Sequence, residues 1–377
     1  MTKQKVLLKK FLVIFILLLF ILICNNQSIA INTKNIYQIS ESEGIYLFVG
    51  GSGPNNYTKI QDAIDNADID TVFVYNDSSP YFENLIVNKS IYLIGEDRES
   101  TVIDGNKISS VVNISADGVI VTGFKIQNSG NNILGSAGIQ ISSNYNAIFY
   151  NIICYNGEGI EIRDSESNTI MFNKIKWNDN DGIFVSGLNN TIFENKILSN
   201  NHFGIFLYNS NYNTISNNLI EKNGFWGETV WGGGGIDLDN SSYNIISENN
   251  LSRNCLFSVY LVYYSKFNII EGNTMSQHSM SVGIELQEFC DNTYVSGNTI
   301  TNNLIGININ SNNNTIEKNN FFTNVFSTMF STLNNTWDQN YWNRPRILPK
   351  VIFGIMEIKS KWTLLIYFDK NPAKRPN

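Results

Sequence analysis

Gly182-Ile-Phe-Val-Ser-Gly-Leu-Asn-Asn-Thr-Ile-Phe-Glu-Asn-Lys-Ile-Leu-Ser-Asn-Asn-His-Phe203 is one turn of a repeat, and Gly204-Ile-Phe-Leu-Tyr208 begins the next. Two phrases recur: Gly-Ile-x-Ile, and an Asn flanked by apolar residues in the pattern Ile-x-x-Asn-x-Ile. The Asn falls at 151, 173, 195, 218, 249, 273, 298, 319 and 340, in steps of 22, 22, 23, 31, 24, 25, 21 and 21 residues. A fixed period of this size is the mark of a solenoid.

Within each copy apolar residues lie two apart and polar ones fill the gaps, as in Ile183/Val185, Ile205/Leu207 and Ile236/Leu238. That alternation is a strand with one buried face. Segments this short, broken by Asn, Ser and Gly, are strands rather than helices. One copy cannot bury its own apolar face, but stacking at the strand spacing of about 4.8 Å buries it continuously. The expected fold is therefore all-β, a single parallel β-helix. Stacked Asn residues then form an amide ladder, each side chain donating to one neighbouring coil and accepting from the other.

Outward from the repeats, the chain divides into four parts. Residues 1–30 read as a secretory signal: Lys3, Lys5, Lys9 and Lys10, the 14-residue apolar run from Phe11 to Cys24, and Ser28-Ile-Ala30. A spanning helix needs about 20 apolar residues, so a retained anchor is the alternative. Residues 44–105 read as an N-terminal cap and first coils. There Ile60, Ala63, Ile64 and Ala67 share one helical stripe, and Thr58 is the expected N-cap. Residues 106–340 are the repeats. Residues 341–377 form a C-terminal cap, with a last strand at 362–368 and a loose tail from Asn371.

Composition narrows the function. The net charge of −7 and a pI near 5.0, with no Lys/Arg run outside the signal, argue against nucleic acid as a partner. Cys154, Cys255 and Cys290 form no framework of paired bridges and read as small buried residues. The many Asn-x-Ser/Thr sites allow glycosylation without indicating it.

The chain resembles the right-handed parallel β-helix proteins of the pectin-lyase-like superfamily, and more narrowly the NosD-like repeat proteins, a domain type associated with carbohydrate binding and sugar hydrolysis. The resemblance rests on the two repeated phrases, on Ile60-Gln-Asp-Ala-Ile64 through Gly95-Glu96 and on Thr101-Val-Ile-Asp-Gly105. The close, Trp337-Asp-Gln-Asn-Tyr-Trp342 then Arg344-Pro-Arg-Ile-Leu-Pro349, is similar to the tail of archaeal surface β-helix proteins. The resemblance implies a polysaccharide lying along an exposed strand face.

On the Gly-Ile-x-Ile strand the third and fifth positions face out. They supply Glu161, Phe206, Asp237, Tyr260 and Glu285, with Arg163, Tyr208, Asp239 and Gln287. Aromatic rings stack on sugars, and carboxylates bind hydroxyls or transfer protons. The 31-residue step carries an insertion with Trp226, Glu228 and Trp231 beside Asp237 and Asp239; insertions on one coil of a solenoid usually mark a binding face. The candidate catalytic residues are Asp237, Asp239, Glu161 and Glu285. The candidate ligand-binding residues are Trp226, Trp231, Glu228, Phe206, Tyr208, Tyr260, Arg163 and Gln287.

The leading expectation is a non-catalytic secreted or cell-surface protein that binds a polysaccharide or surface glycan, or serves in envelope adhesion. A polysaccharide lyase or hydrolase acting through those carboxylates is the second reading. A periplasmic copper-delivery accessory is the third, supported only by Met275-Ser-Gln-His-Ser-Met280, since copper(I) favours clustered Cys, Met or His. No cofactor is expected. Calcium on the outward carboxylates is possible, but the single Gly-Gly-x-Gly-x-Asp match ending at Asp237 lacks the tandem copies such sites need. Membrane contact is expected only through an uncleaved N-terminal segment, and the oligomeric state is open.

Overall fold

The computed structural model describes residues 46–68, 71–130, 135–226, 229–230, 232–276, 281–344, 348–358 and 361–377, and the signal reading at 1–30 lies outside them. Each coil supplies one strand to each of three parallel sheets. Sheet I holds 13 strands, from Tyr46–Val49 to Thr336–Asp338. Sheet II holds 12, from Tyr81–Phe82 to Tyr341–Trp342, and sheet III holds 11, from Leu85–Val87 to Phe326–Phe330. In the coil quoted above these are Thr191–Phe193, Lys196–Leu198 and, across the copy boundary, Ile205–Tyr208.

The register makes the columns the repeat requires. Ile148, Ile170, Ile192, Ile215 and Ile246 are successive partners in sheet I. Ile153, Ile175, Ile197 and Ile220 are partners in sheet II. All are fully buried, and each such side chain contributes roughly 1.5–3 kcal/mol relative to exposure.

The corners are where Asn works. The residue before a ladder Asn commonly adopts the left-handed conformation, as Glu194 (φ 49°) and Ser199 (φ 54°) do. That conformation is unfavourable for a residue with a side chain, so the corner needs compensating bonds. Asn195 supplies them. Its Nδ2 donates to Asn218 Oδ1 at 3.1 Å and to the carbonyls of Ile170 at 2.8 Å and Phe193 at 3.1 Å. Its Oδ1 accepts from the backbone N of Asn173 at 3.0 Å and from Asn173 Nδ2 at 3.1 Å. The expected ladder is thus present and runs from Asn151 to Asn340. Two more columns accompany it: Asn156, Asn178, Asn200, Asn223 and Asn254 between sheets II and III, and Asn146, Asn168, Asn190, Asn213 and Asn244 before sheet I.

The ends differ from the sequence reading in two details. Helix Ile60–Asn66 buries Ile60, Ala63 and Ile64, but Thr58 does not cap it. The carboxylate of Glu83 accepts from the backbone N of Ile60 at 2.8 Å and of Gln61 at 3.0 Å instead. A carboxylate at a helix start meets both the unpaired N–H groups and the helix dipole, which a hydroxyl meets only in part. At the other end the apolar strand is one arm of an antiparallel hairpin, Lys350–Ile358 with Lys361–Asp369. The tail is not loose: Ala373 N donates to Asn340 O at 3.0 Å, and Asn377 N to Asn320 Oδ1 at 2.9 Å. The first of these bonds satisfies the Asn340 carbonyl, which has no further coil to pair with, and the second ties the tail to the side chain of Asn320 one coil earlier. The first ladder ends on Asp369, whose Oδ2 accepts from Asn340 N at 3.0 Å, Asn340 Nδ2 at 3.3 Å and Trp342 Nε1 at 2.9 Å.

Candidate functional site

Sheet III lines up the third-position residues as the sequence required. Gln140, Glu161, Phe184, Phe206, Asp237, Tyr260, Glu285 and Asn308 are successive partners. In the fifth position Arg163 pairs Ser186, and Tyr208 pairs Asp239. One aspect differs from the reading of an open face. Glu161, Asp237 and Glu285 are only 4%, 5% and 3% exposed, because neighbours close over an outward column that a single strand would leave in solvent. Tyr208 remains exposed, and Phe206, Tyr260 and Asp239 are half-buried.

The three buried carboxylates are held differently. Glu161 accepts from Arg163 Nε at 2.6 Å through one oxygen, while its other oxygen is buried with no hydrogen-bond partner. Burial raises its pKa, against the pull of Arg163. Glu285 sits in an amide cradle. Gln287 Nε2 donates to Oε1 at 2.7 Å, Asn308 Nδ2 to both oxygens at 2.9 Å, and Asn310 Nδ2 to Oε1 at 3.3 Å. Burial nevertheless pushes its pKa up to about 7.

Asp237 lacks any such cradle. Its Oδ1 is buried without a partner. Burial raises its pKa well above the ordinary carboxylate value, and the negative charges of Asp239 and Asp181 add to the rise. These causes favour the protonated form of the carboxyl, the form that donates a hydrogen bond.

Sequence reasoning missed a charged pair whose carboxylate acts on Asp237 as a like charge. Asp181 and His202 precede successive repeat glycines, Gly182 and Gly204, and come together one coil apart. Asp181 Oδ1 is 2.8 Å from His202 Nδ1 and also accepts from Phe203 N at 2.8 Å. The ring of His202 packs against Phe203 at 4.2 Å and reaches 6.5 Å from Phe206. Burial works against its charged form, but the hydrogen bond and charge of Asp181 outweigh this, and its pKa is raised. The available signal was a charged residue in the slot just before the repeat Gly, a slot taken by Phe203 in the next coil and Phe257 further on.

The insertion forms a short antiparallel pair, Phe225–Trp226 with Thr229–Val230. Glu228 and Trp231 lie outside the described residues, and only the backbone of Trp226 is described.

A shallow cleft of about 630 Å³ lies at the far edge of sheet III, lined by Asp164, Ser186, Leu188, Tyr208 and Asn209 among others. Asn209 joins it to a second of about 350 Å³ against Tyr212 and Tyr243. The rings of Tyr212, Tyr243 and Phe267 continue along this edge as a stack, with centroids 5.1 and 5.0 Å apart.

A parallel β-solenoid whose one outward sheet face collects carboxylates and aromatic rings defines the class. The family model described as "Periplasmic copper-binding protein (NosD)" matches residues 64–234 and 228–354, and the chain belongs to that family. No curated protein matches it in sequence. Among solved structures it is similar to the mannuronan C-5 epimerase AlgE6 A-module of Azotobacter vinelandii, with 15% identity, TM-score 0.59, and 75% of this chain and 88% of that one covered. It is also similar to DFA-IIIase from Arthrobacter chlorophenolicus A6 at 11% identity, TM-score 0.60, with 78% and 93% covered. Similarity to the Dettilon tailspike protein gp208 is at 15% identity and TM-score 0.55, with 78% of this chain and 62% of that one covered, so the chain spans less than two thirds of the tailspike. At these identities the likeness is one of fold.

A copper-binding family calls for clustered donors. Among the described residues no three His, Cys, Asp or Glu side chains converge to hold a metal. Cys154, Cys255 and Cys290 are free, buried and in different coils. Met275, the described member of the short Met/His cluster that alone supported the copper alternative, is fully buried in register between Leu251 and Ile300, so its thioether is core. His278 and Met280 lie outside the described residues. The described donors do not suit copper(I), which favours clustered soft ligands.

Proposed function

We propose that this is an exported envelope or cell-surface β-solenoid that binds a polysaccharide along the sheet III face. The observation that carries the reading is the strip itself. Exposed Tyr208 and half-buried Phe206 and Tyr260 alternate with carboxylates, and Tyr208 also lines the first of two clefts that share Asn209, the second lying against the stacked rings. Aromatic faces and hydroxyl-binding oxygens in that alternation suit a chain of sugar rings. The family's periplasmic description and the N-terminal signal reading support an extracytoplasmic site of action. A glycan array followed by affinity electrophoresis tests it. Retention by at least one polysaccharide, lost in Tyr208→Ala/Tyr212→Ala, is expected; no retention, or retention unchanged in that variant, ends the proposal.

One observation favours a second reading, hydrolysis of the bound polymer. Asp237, whose burial favours its protonated form, and the more open Asp239 stand two residues apart on the same strand, roughly 6–7 Å from one another. An acid and a base about 6.5–9.5 Å apart serve inverting glycosidases. Release of reducing ends that disappears in Asp237→Asn supports it, and release that survives the substitution removes Asp237 from the role.

A further inference from the structure

We infer that sheet II carries a second site, of opposite charge, which takes an acidic polysaccharide laid along the solenoid axis. It goes beyond the reading of sheet III and uses none of its residues. The register places Lys125 beside Ile152, Ile152 beside Lys174, and Lys174 beside Lys196 in one outward column; Cys154 pairs Lys176 in the next. At about 4.8 Å per coil, the column from Lys125 to Lys196 spans about 14 Å, and Lys174 and Lys176 lie about 6–7 Å apart on one strand.

Among the described residues none of these four lysines is in an ion pair. Lys196 is exposed and the other three are half-buried. Between them Ile152 and Cys154 point outward yet are only 4% and 1% exposed. Long lysine stems lie over such apolar side chains while their ammonium groups stay in water. The charges of Lys125, Lys176 and Lys174 all act on the Cys154 thiol, which fixes three of the four around one point. Glu99 acts on Lys176 from the neighbouring corner without forming an ion pair with it.

Two aromatic residues complete the strip. Tyr155 and Trp177, 51% and 45% exposed, stack with centroids 5.3 Å apart at the corner that follows these strands. Lys176 Nζ lies 3.6 Å from the Trp177 ring centroid. Cations in line at one and two strand spacings, outside any ion pair among the described residues and beside rings that stack on sugars, fit a polymer that repeats a carboxylate along its sugar chain. A nucleic acid fits worse. Duplex DNA carries a charge every ~1.7 Å, far denser than this line of four lysines on a chain whose net charge is −7 with them included. An anionic membrane needs no such line of charges.

The test is binding of the full chain to polygalacturonate, anionic phosphatidylserine vesicles and single-stranded DNA at 50 mM salt. Polygalacturonate is expected to bind most tightly. Lys174→Gln/Lys176→Gln/Lys196→Gln is expected to lose at least tenfold in affinity, and the three-fold Lys→Arg variant to keep it. Retention of any sheet III ligand by the Gln variant separates this site from that one. Equal polygalacturonate binding by native and Gln chains overturns the inference, as does tighter binding to vesicles or DNA.

Discussion

Sheets II and III share a core and differ outside it. Ile197 in one and Leu207 in the other are equally buried in the same stack. Yet sheet III shows Glu161, Asp237, Asp239 and Glu285 outward where sheet II shows Lys125, Lys174, Lys176 and Lys196. The period fixes inward residues and leaves outward ones free, so one solenoid presents faces of opposite charge. The faces also handle burial differently. Sheet III draws its carboxylates under cover, raising their pKa, whereas sheet II keeps its ammonium groups at the surface on buried Ile152 and Cys154.

The strongest way to break the comparison is to cut the corner that joins the faces. Asn200 lies between them; its Oδ1 accepts from Asn178 N at 3.2 Å and Asn178 Nδ2 at 2.8 Å. Asn200→Ala is expected to cost about 1–3 kcal/mol for each donor left buried without a partner. Urea denaturation reads it, and an unchanged midpoint would refute the ladder's role. Lys196→Gln, on the surface strand beside it, is expected to stay within about 0.5 kcal/mol of native.

Acid–base behaviour sharpens the contrast next. Glu285 has a folded pKa of about 7, above its unfolded value near 4.5. As pH rises from 4.5 toward 7, the unfolded chain ionises first, so stability present at low pH is progressively lost. Asp237 acts with the same sign. Glu285→Gln should therefore lose less stability than native between pH 5 and 7.5. Melting curves at the two pH values give the difference directly; identical slopes would place Glu285 in an ordinary environment.

Salt gives the smallest effect and the cleanest separation. Screening shortens from about 10 Å at 0.1 M to about 3 Å at 1 M. Polygalacturonate binding through sheet II is expected to weaken about tenfold from 0.05 to 0.5 M salt, and neutral-glycan binding through sheet III by less than about twofold. Parallel titrations decide it, and equal salt slopes would contradict two electrostatically distinct faces.

How much of this the sequence carries depends on range. The Ile and Asn columns were legible because a 22-residue step brings like onto like. The outward register of Glu161, Asp237 and Glu285 was legible for the same reason, but their burial was not, since it depends on neighbours rather than on the strand. Asp181 and His202 were illegible as a pair because they occupy different slots of adjacent copies. The lysine strip is illegible along the chain because its members lie 22 or more residues apart in the column, and only the solenoid brings them together across coils. Met275 looked like a metal donor until its register with Leu251 and Ile300 made it core. Thr58 looked like a cap because Glu83, the group that does the work, is far along the chain.

Asp369 gives the amide column an end as well as a length. Each Asn in the first ladder hands a donor to the next coil, so the column has a direction and would accept another coil indefinitely. A carboxylate in the last slot takes that donor and returns none. With the tail bonded to Asn340 and Asn320 as well, this amide column is terminated by the chain's own groups rather than by a further coil.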